Sequence, residues 1–195
     1  MFKLLLAAII TFTASAAASE TLQITTPPAL RSDKGYLTNI ETAIFNGPSQ
    51  DVRKALQTAE TGVLAHAKTT DRIPSISEMR NLDGDFPDID AVRQLTFSDG
   101  NRVIERVIEN SDSRFVYQVW DFTAPNARAL SHIRGQFDYV PIENGQTQVT
   151  WTYSIALRVF LVRPLVRNFL QNDFAPFMES GLQGAAEAYN QRALN

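Results

Sequence analysis

The sequence predicts an α+β domain in which a curved, seven-stranded antiparallel sheet packs against one long C-terminal helix. Strand-like segments follow one another between short turn signals, which favours antiparallel neighbours. In the last segment, Val149 to Leu157, large apolar residues alternate with Thr, Ser and Ala, as on a strand with one buried face. After Pro164 the apolar spacing becomes helical and stays so. A sheet that curves around one helix encloses an apolar space, so these patterns predict a container for a hydrophobic molecule.

Residues 1–18 have the composition of a signal peptide. Lys3 gives a positive start, Leu4–Phe12 is a short and mostly apolar core, and residues 16–18 are small alanines that signal peptidase accepts. The core is too short to span a bilayer, which takes about 20 apolar residues. We therefore expect export to the periplasm of a Gram-negative cell and a mature chain that begins at Ser19, although cleavage two residues earlier fits the same pattern.

The composition argues against several classes of function. The chain has 195 residues, 44% of them apolar, no cysteine and two histidines, so neither disulfides nor a transition-metal site is expected. Loss of one lysine with the signal peptide changes the formal net charge from −3 to −4, and the charges are dispersed, which disfavours nucleic acid as a partner. The sequence has no phosphate-loop, dinucleotide-glycine or nucleophile-elbow motif, so no cofactor is predicted.

Four elements are predicted before the main run of strands. Residues 19–35, with two prolines and many small polar side chains, indicate an extended leader rather than a packed element. Tyr36–Phe45 is rich in β-branched and aromatic residues and predicts the first strand. Pro48 then favours the first turn of a helix, and a second short helix is predicted over Val63–Ala67. The residues that share one face of the first helix are Val52, Leu56 and Ala59.

Six further strands complete the sheet, and the short loops between them predict a meander of antiparallel neighbours. The turn signals are Asp99-Gly100, Asn110–Asp112, Pro125-Asn126 and Asn144-Gly145. The predicted strands are Ile76–Leu82, Val92–Phe97, Arg102–Ile108, Phe115–Phe122, Ala129–Val140 and Gln148–Leu157. Residues 36–195 are therefore expected to form one ligand-binding domain.

The C-terminal helix is predicted to run from Pro164 to about Arg192. At 1.5 Å per residue it would be roughly 40 Å long, enough to cross the sheet. Its small and apolar residues recur with helical spacing and predict a stripe that faces the sheet. This stripe consists of Val166, Leu170, Phe174, Phe177, Gly181, Ala185 and Ala188.

The order of the elements and several short stretches resemble the START-like, or SRPBCC, superfamily. Residues 91–100 (AVRQLTFSDG), residues 103–107 (VIERV) and Tyr117 resemble its run of Arg, Asp-Gly turn, Glu and downstream Tyr. The stretches that resemble its polyketide cyclase/dehydrase-like branch are residues 150–153 (TWTY), Arg163–Leu165 and Pro176–Met178. The resemblance covers nearly all of the mature chain and implies the helix-grip fold, in which the sheet wraps around the C-terminal helix.

The turn at Ser98–Gly100 decides which side chains share the inner face of the sheet. A three-residue turn, with glycine in the left-handed conformation, pairs Arg93 with Glu105. A two-residue turn would place Glu105 opposite Gln94 and reverse its face. We favour the three-residue turn because it sets opposite charges across neighbouring strands. The resemblance adds that the corresponding carboxylate faces the pocket in plant hormone receptors of the superfamily. The same face would carry Leu95, Phe97 and Val107.

The candidate ligand-binding residues lie on this face or on the helix stripe opposite it. Arg93 and Glu105 either orient a ligand or form a structural ion pair that holds the sheet. Tyr117 either donates a hydrogen bond to a ligand or simply packs. Trp151 and Tyr153 alternate toward the helix, where they line a pocket or fill a solid core. The full set is Arg93, Leu95, Phe97, Glu105, Tyr117, Val119, Trp151, Tyr153, Leu170, Phe174 and Phe177.

Two functions use this inner face. The first is binding of a small hydrophobic molecule, such as a lipid, a quinone or a polyketide-like compound, between the sheet and the helix. The second is a cyclase or dehydratase in which Glu105 or Asp121 acts as a general base while Tyr117 or Arg93 polarises a carbonyl. No histidine is placed to help such a reaction, so binding without catalysis is the preferred interpretation.

A third function is transient contact with a membrane or a protein surface. Arg158, Arg163 and Arg167 surround the apolar residues Phe160 and Leu161 near the start of the C-terminal helix. Cations beside exposed apolar side chains are typical of segments that lie on anionic surfaces. Three charges contribute little alone, so a small hydrophobic molecule is the predicted partner, and no oligomeric state is predicted.

Overall fold

A computed structural model describes residues 24–58 and 60–192 of the chain. Its main feature is one seven-stranded antiparallel sheet with the order β1-β7-β6-β5-β4-β3-β2, in which β1 pairs with β7 and the other strands follow the chain. The strands are β1 Tyr36–Phe45, β2 Ile76–Asp83, β3 Val92–Phe97, β4 Arg102–Asn110, β5 Arg114–Trp120, β6 Leu130–Pro141 and β7 Thr147–Leu157. All seven predicted strands are present, with ends within two residues of the prediction.

Two short helices connect β1 to β2, as predicted. Helix α1, Ser49–Leu56, begins directly after Pro48 and buries Val52. Helix α2, Val63–His66, is a single turn that packs against the C-terminal helix. Ala59, the third residue of the predicted α1 face, lies outside the described residues. Within the described part of the chain, no helix has the length and apolar character needed to cross a membrane.

The C-terminal helix reaches Arg192, but it is not one regular α-helix. A 3-10 turn over Phe160–Val162 leads into α3, Arg163–Phe169. A π-helical turn over Leu170–Phe174 follows and continues directly into α4, Ala175–Arg192. A π-turn holds one residue more than an α-turn, so it rotates the following residues about the helix axis. The predicted stripe is therefore only partly right, because the completely buried Met178 and Leu182 lie outside it.

Gly181 is predicted to face the sheet, and this prediction is wrong. A Cβ atom at this position would lie 2.8 Å from the carbonyl oxygen of Val63 and 3.1 Å from the Cβ of Ala67. Gly181 therefore lets α4 approach the α2 region closely. Helical periodicity shows which residues share a face of one helix, but it does not show which neighbour that face meets.

The leader packs on the outer face of the sheet. Residues 24–32 have no regular secondary structure and are followed by a 3-10 turn over Asp33–Gly35, and the expectation that the leader is unpacked is wrong. The side-chain amide of Gln118 donates to the carbonyl oxygen of Pro28 at 2.7 Å, and the indole of Trp120 donates to that of Thr25 at 3.2 Å. Buried polar groups need such partners, and the leader supplies them. The predicted signal peptide, residues 1–18, lies outside the described residues.

The main core lies between the inner face of the sheet and α4. On β7 the predicted alternation of burial holds from Val149 to Thr152, but Tyr153 is only half-buried, and Ser154 and Ala156 are buried as well. The sheet therefore presents a mostly apolar inner face to the helix. Arg93, Glu105 and Tyr117 are polar side chains on this face.

Candidate ligand-binding site

The turn between β3 and β4 has the three-residue geometry that the sequence predicts. The backbone N–H of Phe97 donates to the carbonyl oxygen of Asn101 at 2.8 Å, and that of Gly100 donates to Phe97 at 2.9 Å. Gly100 has φ +81°, the left-handed conformation in which glycine has no steric penalty. The resulting register places Arg93 directly opposite Glu105, as predicted.

Arg93 and Glu105 form a buried ion pair. Nη2 and Nε of Arg93 lie 2.8 and 3.0 Å from the same oxygen, Oε1 of Glu105. The guanidinium also lies 3.4 Å from the centre of the Phe86 ring, in cation–π contact. Both contacts use Oε1; the second carboxylate oxygen, Oε2, forms no hydrogen bond with a described residue and is not one of the fully buried unpaired atoms among them.

Burial dominates the electrostatics of Glu105. Removal of the carboxyl from water raises its pKa above the ordinary value, and the positive charge of Arg93 opposes that rise. A carboxyl in this environment can hold or release a proton at a higher pH than a solvated glutamate. It is therefore suited both to hydrogen bonding with a ligand and to proton transfer.

The ring of Tyr117 lies over Gly135 of β6, a residue without a side chain. In the sheet it is the direct partner of Gly135, and a Cβ atom there would collide with the tyrosine ring. The ring can therefore cross the strand, and its hydroxyl accepts a hydrogen bond from the indole Nε1 of Trp151 at 3.3 Å. Burial raises the pKa of Tyr117 well above its ordinary value, and the charges of Tyr153 and Glu105 raise it further.

Tyr153 lies on β7, directly opposite Gly135 from the other side. Burial raises the pKa of its hydroxyl, and the charge of Glu105 adds to the rise, so this hydroxyl and the carboxyl belong to one electrostatic cluster. Among residues 24–58 and 60–192, no partner forms a hydrogen bond with the Tyr153 hydroxyl. We define the polar cluster as Arg93, Glu105, Tyr117 and Tyr153.

Aromatic rings enclose the polar cluster. Trp151 stacks on Phe137 with ring centres 5.2 Å apart. From the helix side, Phe174 lies 4.4 Å from the ring centre of Tyr153 and 5.4 Å from that of Phe177. Phe174 and Phe177 are half-buried, and Phe174 ends the π-helical turn. These two rings therefore close the space between the polar cluster and the solvent.

The other predicted site residues divide into core and periphery. Leu95, Val119 and Leu170 are buried in the main core, and Phe97 is half-buried against it. Asp121, the alternative general base, follows the end of β5 and has φ +58°. No hydrogen bond or ion pair joins Asp121 to Tyr117 or Arg93 in the described part of the chain, so Glu105 is the carboxyl that the fold places in the cluster.

Two cavities lie near the helix grip, and neither is lined by Trp151, Tyr153 or Phe174. One, of about 10 Å³, lies between α1 and α4 beside Tyr189. The other, of about 290 Å³, lies at the end of β7 outside the grip. Neither cavity therefore reaches the polar cluster, which Phe174 covers from the helix side.

Three residues of the site were not predicted. Gly135 allows Tyr117 to cross the sheet, Phe86 covers Arg93, and Phe137 supports Trp151. A glycine inside a strand often marks a close approach of another group, so Gly135 carried a signal in the sequence. Phe86 lies in the loop between β2 and β3, where no periodic pattern indicates the direction of a side chain.

The fold is shared with proteins of known structure. The di-domain ARO/CYC StfQ from the steffimycin biosynthetic pathway matches with a TM-score of 0.60 and 13% identity over 82% of this chain and 53% of its own. TTHA0849 from Thermus thermophilus matches with a TM-score of 0.58 and 13% identity, over 82% and 100% of the two chains. Ara h 8.0201 matches with a TM-score of 0.55 and 16% identity, over 81% and 99%.

These similarities define the class of fold. The chain has the helix-grip fold of START-like proteins, as its sequence motifs implied, and it shares this fold with the ARO/CYC protein of the steffimycin biosynthetic pathway. It spans about half the length of that di-domain protein. Neither a protein-family model nor a curated protein sequence matches the chain.

Proposed function

We propose that this protein binds a small hydrophobic molecule, such as a lipid, a quinone or a polyketide-like compound, between the inner face of the sheet and the C-terminal helix. One observation carries the proposal. Beside an aromatic shell, Oε2 of Glu105 and the hydroxyl of Tyr153 form no hydrogen bond with any described residue, and neither is fully shut off from solvent. Polar groups that converge beside apolar walls and stay open to a partner support a role with a ligand.

The ion pair supports the same interpretation. An ion pair in a protein interior often stabilises the fold no better than well-packed apolar residues of similar size would. Arg93 and Glu105 also leave one carboxylate oxygen that could accept a hydrogen bond from a ligand. Ligand sites typically combine apolar walls with a few convergent polar groups, and the polar cluster within its aromatic shell has this composition.

Ligand entry requires movement of Phe174 and Phe177. Both rings are half-buried, and Phe174 belongs to the π-helical turn. π-turns are frequent at functional sites, and a ring at the end of such a turn is a suitable gate. With these rings displaced, the space next to Tyr153 and Glu105 would accept an apolar chain whose polar end meets the two unengaged groups.

The test is a titration of the natively processed protein with a fluorescent long-chain alcohol, whose hydroxyl can donate to Glu105 and accept from Tyr153. We expect saturable binding at one site and a higher melting temperature, because a ligand specific for the native state stabilises it. Phe174→Ala should increase the affinity by opening the entry. Phe160→Ala is the matched control, since that ring is exposed and lies outside the grip.

The polar end of the site is tested separately. Tyr153→Phe and Glu105→Gln should weaken binding of the alcohol more than binding of a hydrocarbon probe of the same length. If neither the wild type nor Phe174→Ala binds any apolar probe, the grip is a solid core and the proposal is wrong.

A second candidate is an enzyme of the cyclase or dehydratase type acting on such a ligand. The buried Glu105, with its raised pKa, and Tyr117 favour this candidate, because both could exchange protons with a bound carbonyl compound. Incubation of a polyketide-like substrate with the wild type and Glu105→Gln, followed by mass spectrometry, distinguishes the two functions. Loss of water from the substrate that depends on Glu105 indicates an enzyme, and unchanged substrate indicates a binding protein.

We also propose that the protein acts in the periplasm. The support is the sequence of residues 1–18, with its positive start, apolar core and small residues before Ser19. N-terminal sequencing of the native protein should find Ser19 as the first residue. An intact Met1 in a soluble cytoplasmic fraction would contradict this.

A further inference from the structure

An exposed apolar surface lies between β7 and α3. Four large apolar side chains project here, with exposed fractions of 45% for Val159, 74% for Phe160, 89% for Leu161 and 67% for Leu165. We call these four residues the apolar tip. Single exposed apolar residues are common, but a group of four on one short segment marks an interaction site.

A basic cavity adjoins the apolar tip. It has a volume of about 290 Å³ and is lined by four cationic residues, Arg31, Lys34, Arg158 and Arg163, together with Gly35, Leu157 and Phe160. No acidic residue lines it. Phe160 belongs to both the cavity and the tip, so the cationic and apolar parts form one continuous surface.

Hydrogen bonds orient two of the four cations. Nη2 of Arg31 donates to the carbonyl oxygen of Leu157 at 2.7 Å, and Nη2 of Arg163 donates to that of Tyr36 at 3.5 Å. In the described part of the chain, no salt bridge involves any of the four. Their charge is therefore available to an external anion.

The charge distribution favours a specific kind of partner. The whole protein has a formal net charge of −3, so the cluster of cations at this cavity is a local feature and not a consequence of a basic chain. Cations around projecting aromatic and aliphatic side chains are the composition of segments that lie at a lipid interface. The apolar residues enter the boundary of the bilayer, while the cations meet the phosphate groups.

We propose that the apolar tip and the basic cavity together dock the protein on a bilayer that contains anionic phospholipids, with a lipid phosphate in the cavity. Arg167, one helical turn after Arg163 and exposed, adds a further cation to this surface. The inference rests on these residues alone and holds whether or not the grip contains a ligand.

The experiment is flotation of the natively processed protein with vesicles of phosphatidylcholine, alone or mixed with phosphatidylglycerol. We expect at least tenfold stronger binding to the mixed vesicles, because each cation near an anionic surface contributes roughly fivefold. The double variant Arg158→Gln/Arg163→Gln should lose this preference. Arg80→Gln, an exposed cation on the edge strand β2, is the matched control and should retain it.

The apolar contribution has its own variant. Phe160→Ser/Leu161→Ser should weaken binding at least tenfold, whereas Val140→Ser, an exposed apolar residue at the other end of the sheet, should not. Equal binding to both kinds of vesicle, or no effect of the tip variants, would overturn the proposal. Binding of soluble glycerol phosphate in the cavity without any binding to vesicles would overturn it as well.

A labelling experiment avoids the question of whether the serine variants fold. The chain has no cysteine, so Leu161→Cys can carry a single polarity-sensitive dye. The emission of the dye should shift to the blue when mixed vesicles are added. Added salt screens the charges, so the emission should then return to its wavelength without vesicles. The same dye at Val140→Cys should not respond. No shift at position 161 would show that the tip does not enter the bilayer.

Discussion

Two cross-strand ion pairs of the same chemistry lie on opposite faces of this sheet. On the inner face, Arg93 and Glu105 are 2.8 Å apart, with exposed side-chain fractions of 14% and 5%. On the outer face, Arg114 and Asp138 are 2.6 Å apart, with exposed fractions of 45% and 24%. Distance does not distinguish them, but burial does. A buried charge that loses its partner is expensive, whereas an exposed one is solvated by water.

The largest effect should come from breaking the inner pair. Arg93→Ala or Glu105→Ala should each lower the free energy of unfolding by about 3 to 5 kcal/mol, because each leaves a buried charge unpaired. The double variant should lose less than the sum of the two. Denaturant melts of the three variants measure this coupling. Losses below about 1 kcal/mol with no coupling would show that water reaches the pair.

Gly135 tests the packing around the same cluster. Gly135→Ala should cost about 1 to 3 kcal/mol, because the new methyl group collides with the ring of Tyr117 and displaces it. Combined with Tyr117→Ala, it should cost less than the sum of the single losses, since the ring is then absent. An additive result in denaturant melts would mean that Tyr117 does not lie across position 135.

The pH dependence of stability should identify what controls Glu105. Burial raises the pKa of the Glu105 carboxyl above 4.5, so the folded state holds this proton more tightly than the unfolded chain does. Its contribution to stability is then fully present below about pH 4.5 and is lost as the pH rises through the raised pKa. The unfolding free energy of Glu105→Gln, relative to the wild type, should therefore increase with pH. A relative decrease would mean that the charge of Arg93 outweighs burial.

The smallest effect should come from the outer pair. Arg114→Ala and Asp138→Ala should each change the free energy of unfolding by less than about 1 kcal/mol, and added salt should reduce the effect further. Melts at low and high salt measure it. A loss as large as that from Arg93→Ala would show that burial does not determine the cost.

Much of this fold could be predicted because its signals are local. Alternation along β7 indicated which residues face inward, and the opposite charges of Arg93 and Glu105 favoured the three-residue turn that pairs them. The features that were not predicted depend on how distant segments of the chain pack together. The π-turn rotates α4, the leader covers Trp120, and the ring of Phe86 stacks on Arg93. None of these contacts produces a periodic pattern in one segment of sequence.

The most direct test of the central claim is mass spectrometry of small molecules extracted from the natively purified protein. We expect one apolar compound with a polar end, present in near-stoichiometric amount in the wild type and depleted in Tyr153→Phe and Glu105→Gln. Val140→Ala, an exposed apolar residue at the other end of the sheet and outside both proposed sites, should retain it. Preparations that yield no such compound, and that take up none when supplied with apolar molecules, would contradict a ligand site between the sheet and the helix.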